Sequence, residues 1–118
     1  MDDFEKAIGK ISFKVYEALD NPNIEGLQIK INKQTKKYEV SNFDLQVIDR
    51  TFYKKSSSNF KKVAKASLAT AIYFLDSGKF TAVDLFIDLK RMRITLDVTH
   101  VSGEIKRIDV GNVSKKNH

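Results

Sequence analysis

The chain has no cysteine, which excludes a disulfide framework, a thiol nucleophile and a Cys-ligated zinc site. That composition fits a reducing compartment. Long apolar runs are missing too: none approaches the ~18 consecutive apolar residues of a membrane span. The opening segment, MDDFEKAIGKISFKV, is acidic where a signal peptide would be basic, and it lacks a continuous apolar stretch. The expectation is a cytoplasmic protein that does not enter a membrane. Histidine is scarce, with only His100 and His118, and the five glycines form no phosphate-cradling loop.

What is present reads as an ordinary globular chain. Hydrophobic residues make up 42% and charged residues 31%. A chain of 118 residues suits one domain, and at this size folding buries somewhat under ~70% of the unfolded surface. The net charge of +6 is local. The stretch 50–65, RTFYKKSSSNFKKVAK, holds Arg50, Lys54, Lys55, Lys61, Lys62 and Lys65 and no acid. The other 15 basic residues are balanced by the 15 acidic ones.

Hydrophobic spacing predicts the elements. Phe4, Ile8, Ile11, Val15 and Leu19 recur every three or four residues, with Lys6, Lys10, Lys14 and Glu17 elsewhere on the wheel, so residues 3–20 form an amphipathic helix. In GLQIKIN, Leu27, Ile29 and Ile31 alternate with polar residues, as in a half-buried strand. KQTKK then turns the chain, and YEV at 38–40 begins the return strand of a hairpin. Alternation continues through Phe43, Leu45 and Val47, with a phase slip after Val40 that implies a bulge or short break. A second helix runs from Ser58 to Asp76, with Phe60, Ala64, Ser67, Leu68, Ala71 and Leu75 on one face. Its first turn carries Lys61 and Lys62, where the helix dipole disfavours cations by ~0.3–1 kcal/mol.

The stretch VDLFIDLKRMRITLDV, 83–98, changes phase in the middle. Val83, Leu85, Ile87 and Leu89 alternate on odd numbers, whereas Met92, Ile94, Leu96 and Val98 alternate on even ones. A flat strand cannot change parity, so either one residue bulges at Lys90–Arg91 or the chain turns there. Sixteen residues are long for one strand, which favours a hairpin of roughly 81–89 and 92–101. Because Lys-Arg lacks the Gly or Asn of a two-residue turn, the loop can take in Leu89 or Met92. SG at 102–103 is a further turn, and EIKRIDV is a last, weaker strand. The order is α-β-β-α-β-β-(β). The fold class is α+β, with two helices packed on one face of a mostly antiparallel sheet. Residues 1–113 form the domain and 114–118 a frayed tail.

The face of the hairpin turned away from the helices carries Asp84, Phe86 and Asp88 on one strand and Arg91, Arg93, Thr95, Asp97 and Thr99 on the other. A turn at 90–91 places Asp88 opposite Arg93, a favourable pair, and Phe86 opposite Thr95. It also sets Asp84 against Asp97, and like charges directly opposite are destabilising. Two acids alone make a poor cation cage, so no metal site is expected. Asp84, Phe86, Asp88, Arg93 and Asp97 are therefore the candidate partner-binding residues.

The basic stretch supplies an alternative. Lys54, Lys55, Ser58, Lys61, Lys62 and Lys65 surround a predicted helix start and suit an anion or nucleic acid, with Phe52, Tyr53 and Phe60 placed to stack on bases. Catalysis finds less support. His100 shares the apolar parity of its strand, which makes a partly buried structural histidine the default. A small ribonuclease-like toxin using His100 is the third reading, with nothing in the sequence to position an acid–base pair. Asp76, Asp88 and Lys90 have the loose spacing of a metal-dependent nuclease, but Asp76 ends a helix and Lys90 sits in a turn. No enzyme activity and no cofactor are expected.

The layout carries a resemblance. An amphipathic helix leads to a hairpin, and a second helix ends near DSGKFT. There Phe80 and Thr81 form an aromatic-Thr pair opening a strand. A short loop follows, then a strand containing Thr95, Leu96, Asp97 and Val98. This architecture resembles the YezG-like immunity proteins of bacterial polymorphic toxins. The resemblance implies a non-catalytic inhibitor that binds one toxin protein and covers its surface.

Overall fold

Residue spacing produces both helices where the periodicity predicts them. The computed structural model describes residues 3–21, 24–43, 58–89 and 91–112. Helix α1 spans Asp3–Leu19 and buries Ile11, Val15, Ala18 and Leu19. Helix α2 spans Ser58–Asp76, and its Phe60, Ala64, Ser67, Leu68, Ala71 and Leu75 are buried at three- and four-residue intervals. The strands are β1 (Gly26–Asn32), β2 (Lys37–Phe43), β3 (Phe80–Asp88), β4 (Arg93–His100) and β5 (Ile105–Asn112). The element order and the α+β class agree with the sequence reading.

The sheet order is β2-β1-β3-β4-β5, with every neighbouring pair antiparallel. The excursion through α2 returns the chain beside β1, so β3 takes the centre. Helix α2 packs on β3 and β4, and α1 on β2. The register lines up Ile29, Leu85 and Leu96 across three strands, and Leu27, Ile87 and Ile94 beside them. All six are at most 1% exposed. Each such burial contributes about 1.5–3 kcal/mol relative to exposure.

The parity change in 83–98 is a hairpin with the expected register: Asp88 opposite Arg93, Phe86 opposite Thr95, Asp84 opposite Asp97. The connection is longer than a two-residue turn, because β3 ends at Asp88 and β4 begins at Arg93. The cause lies in Asp88, whose Oδ1 accepts the Arg91 N–H at 2.9 Å and turns the chain early. Leu89 stays buried, and its N–H donates to the Glu25 carbonyl at 2.9 Å. Met92 absorbs the reversal with φ 52.

Other turns follow side-chain chemistry. Asn32 Oδ1 accepts the Gln34 and Thr35 amides at 2.9 and 3.0 Å, closing the β1–β2 turn. Gly78, at φ 78, ends α2 in the left-handed conformation. Lys33 Nζ donates to the Leu75 carbonyl at 3.2 Å and lies 4.7 Å from the Phe4 ring centre, so one cation from the first hairpin closes the end of α2 against α1.

One expectation is corrected. Strand β2 runs in unbroken register from Lys37 to Phe43, so no bulge follows Val40. The irregularities fall between Phe80 and Ala82 in β3, and in the β4–β5 pairing after Ile94. Leu45, Val47, Phe52, Tyr53, Lys54, Lys55, Lys90 and the tail 114–118 lie outside the described residues.

Candidate functional site

Strand alternation that buries Val83, Leu85 and Ile87 under the helices turns Asp84 and Phe86 the other way. Both helices pack on the opposite side, and Phe86 is 38% exposed. The register assembles a row across all five strands: Glu39, Lys30, Asp84, Asp97, Arg107. The next row contains Ser41, Gln28, Phe86, Thr95 and Asp109.

The flanking strands resolve the repulsion expected between Asp84 and Asp97. Gln28 Nε2 reaches diagonally from β1 to both Asp84 oxygens, at 3.0 and 3.1 Å. Asp84 is also registered opposite Lys30. From β5, Arg107 forks onto Asp97, Nε to Oδ1 at 2.8 Å and Nη2 to Oδ2 at 3.0 Å. Its hydrogen bonds hold the Asp97 carboxyl below the ordinary value of 3.8, against an opposing contribution from partial burial. Two adjacent carboxylates are thereby held side by side in fixed orientations.

The surface around them is hollow. A depression of about 430 Å³ includes Lys30, Glu39, Asp84, Asp97, Thr99 and Ile105 in its lining. A smaller one, of about 250 Å³, is lined by Gln28, Asp84, Phe86, Thr95, Asp97 and Arg107. Asp84 and Asp97 belong to both. Gln28, Lys30 and Arg107 were not among the sequence candidates. Alternation places each on the polar side of its strand, but only the pairing of β1 with β3 and of β5 with β4 brings them to the acids.

The other candidates separate. Asp88 does not join the open surface: it is 5% exposed, and its Oδ2 binds Arg91 Nη1 at 3.2 Å in addition to the turn amide. Arg93 is exposed at the end of the face. Lys61, Lys62 and Lys65 ride on α2, and two of them reach α1 or the turn that follows it. Lys61 Nζ lies 3.7 Å from Asp20, and Lys65 Nζ 4.8 Å from the Tyr16 ring centre. Of the two contacts, only that of Lys61 lies in the first turn of α2. Phe60 is fully buried, which corrects its suggested role in base stacking. Ser58 opens α2, and Lys54 and Lys55 are outside the described residues.

His100 is half-buried at the end of β4, as its parity predicts. Its ring meets Phe80 edge-on at 5.6 Å, and Nδ1 accepts the Ser102 N–H at 3.1 Å. Phe80 also packs edge-on with Phe74 at 5.1 Å, and Thr81 Oγ1 lies 3.5 Å from the Thr99 carbonyl. The aromatic-Thr pair thus ties the start of β3 to both α2 and β4. Among the described residues no helix is long and apolar enough to cross a membrane, and no three of His, Asp and Glu are grouped to hold a metal ion. No family model matches the chain, and comparison with curated proteins and with solved structures gives no match.

Proposed function

We propose that this chain is a small cytoplasmic protein-binding module of the immunity or antitoxin type, which blocks a bacterial toxin by covering part of its surface with the open face of the sheet. The observation that carries the reading is the Asp84–Asp97 pair, shared by two adjoining hollows and flanked by Phe86, on a face neither helix covers. Gln28 and Arg107 hold the acids in place before any partner arrives, which lowers the ordering cost of binding. Phe86 supplies the aromatic anchor that such interfaces use. The complementary surface is basic, with an apolar recess for one ring. The architectural resemblance to YezG-like immunity proteins points to the same role.

The test is neutralisation. The protein encoded beside this chain's gene is expressed in a host, and growth is followed with and without this chain. Restored growth and a stable complex are the expected results. Phe86→Ala combined with Asp84→Asn should retain the native circular dichroism spectrum, because asparagine keeps an acceptor for Gln28. It should weaken the complex by about 2 kcal/mol or more, as loss of an anchor residue does. Full affinity in that variant removes this face from the interface, and the absence of any neutralisation removes the inhibitor reading.

A further inference from the structure

A second surface lies on the opposite side of the molecule. Lys6, Lys10 and Lys14 follow one another at four-residue intervals on α1, which sets them in a single exposed stripe. Among the described residues none of them has an ion-pair partner, in contrast to Lys61. The stripe walls a groove of about 370 Å³ between α1 and β2, with Ile11, Tyr38 and Val40 contributing an apolar floor and Asp3 closing one end. Strand β2 is a sheet edge: β1 pairs with one side of it, and no described strand pairs with the other.

We infer that this groove binds an extended acidic segment of a partner protein, which adds to β2 as a further strand and aligns its carboxylates with Lys6, Lys10 and Lys14. Three features select that occupant. The free edge offers backbone donors and acceptors, which is the basis of strand addition. Side chains on one side of an extended strand recur about every 6.6–6.8 Å. Lysines four residues apart on a helix recur about every 6 Å, so alternate acids and successive lysines stay in step. The carboxylate stems would cover the apolar floor while their charged ends meet the stripe.

A nucleic-acid strand fits less well. The groove has no arginine for bidentate phosphate contact, and its one ring, Tyr38, is half-buried against Phe4 at 6.1 Å. The exposed ring of Phe13 is not part of its lining. No residue of the groove belongs to the open sheet face.

The experiment uses the full chain and a short fluorescent peptide of alternating glutamate and threonine, with binding read by anisotropy at low salt. Saturable binding is expected. It should weaken about tenfold when Lys6, Lys10 and Lys14 are all changed to Gln, the scale of three exposed ion pairs. Lys62→Gln, on the other helix, should leave binding unchanged. A peptide N-methylated at alternate residues, which cannot pair along the edge, should also lose about tenfold or more, since several backbone hydrogen bonds go at once. If the triple variant fails to fold, Lys10→Gln alone and protection of β2 amides from exchange give the same readout. No binding, an undiminished triple variant, equal binding of the N-methylated peptide, or tighter binding of a short oligothymidylate would each overturn the inference.

Discussion

Asp97 owes its depressed pKa to a strand that is its neighbour only in the fold. Arg107 sits ten residues further along, yet its two hydrogen bonds, followed by its positive charge, hold the Asp97 carboxyl below 3.8. Because the folded value is depressed, the pair stabilises the protein above the unfolded value, and that contribution disappears as pH falls through the folded one. Arg107→Ala should therefore raise the Asp97 pKa, since desolvation is then left unopposed. A carboxyl carbon titration by NMR measures this directly, and an unshifted midpoint would show that the fork seen here does not persist in solution. Asp88 makes the complementary point. Its type and position suggested a surface acid, but its carboxylate is spent on a turn.

The helices show how one residue pattern serves two demands. The face of α2 that begins with Phe60 and ends with Leu75 is buried, while from its flank Lys65 meets Tyr16 of α1 and Lys61 meets Asp20 just beyond α1. Phe60→Ala should cost about 3–5 kcal/mol in urea or thermal unfolding, as expected of an aromatic removed from a closed core. A stacking residue on a nucleic-acid surface would instead leave stability nearly unchanged. The helix spans, the β1–β2 turn and the 83–98 hairpin were all legible, because periods of 3.6 and 2 record which side of each element meets the core. A β3–β4 loop longer than two residues was legible in the lack of Gly or Asn at Lys90 and Arg91, but its cause, one side chain capturing one amide, was not.

For the molecule as a whole, two unlike surfaces lie on opposite sides of the sheet. One shows two oriented carboxylates beside Phe86, and the other a lysine stripe above an edge strand. They share no residue, so they should act independently. Phe86→Ala with Asp84→Asn is expected to bind the acidic peptide as the unaltered chain does. Titration of that variant beside the unaltered chain checks this, and a changed peptide affinity would show coupling through the sheet.

By itself the sequence determined the element types and order, the two-sided character of every strand, and the outward placement of Asp84 and Phe86. These follow from alternation, a property carried by neighbours along the chain. Only the tertiary structure decided that β3 lies between β1 and β4, that Gln28 and Arg107 compensate the facing acids, and that Lys6, Lys10 and Lys14 overlook an open edge. Strand order and register join residues distant in sequence, and periodicity along the chain contains no term that couples them.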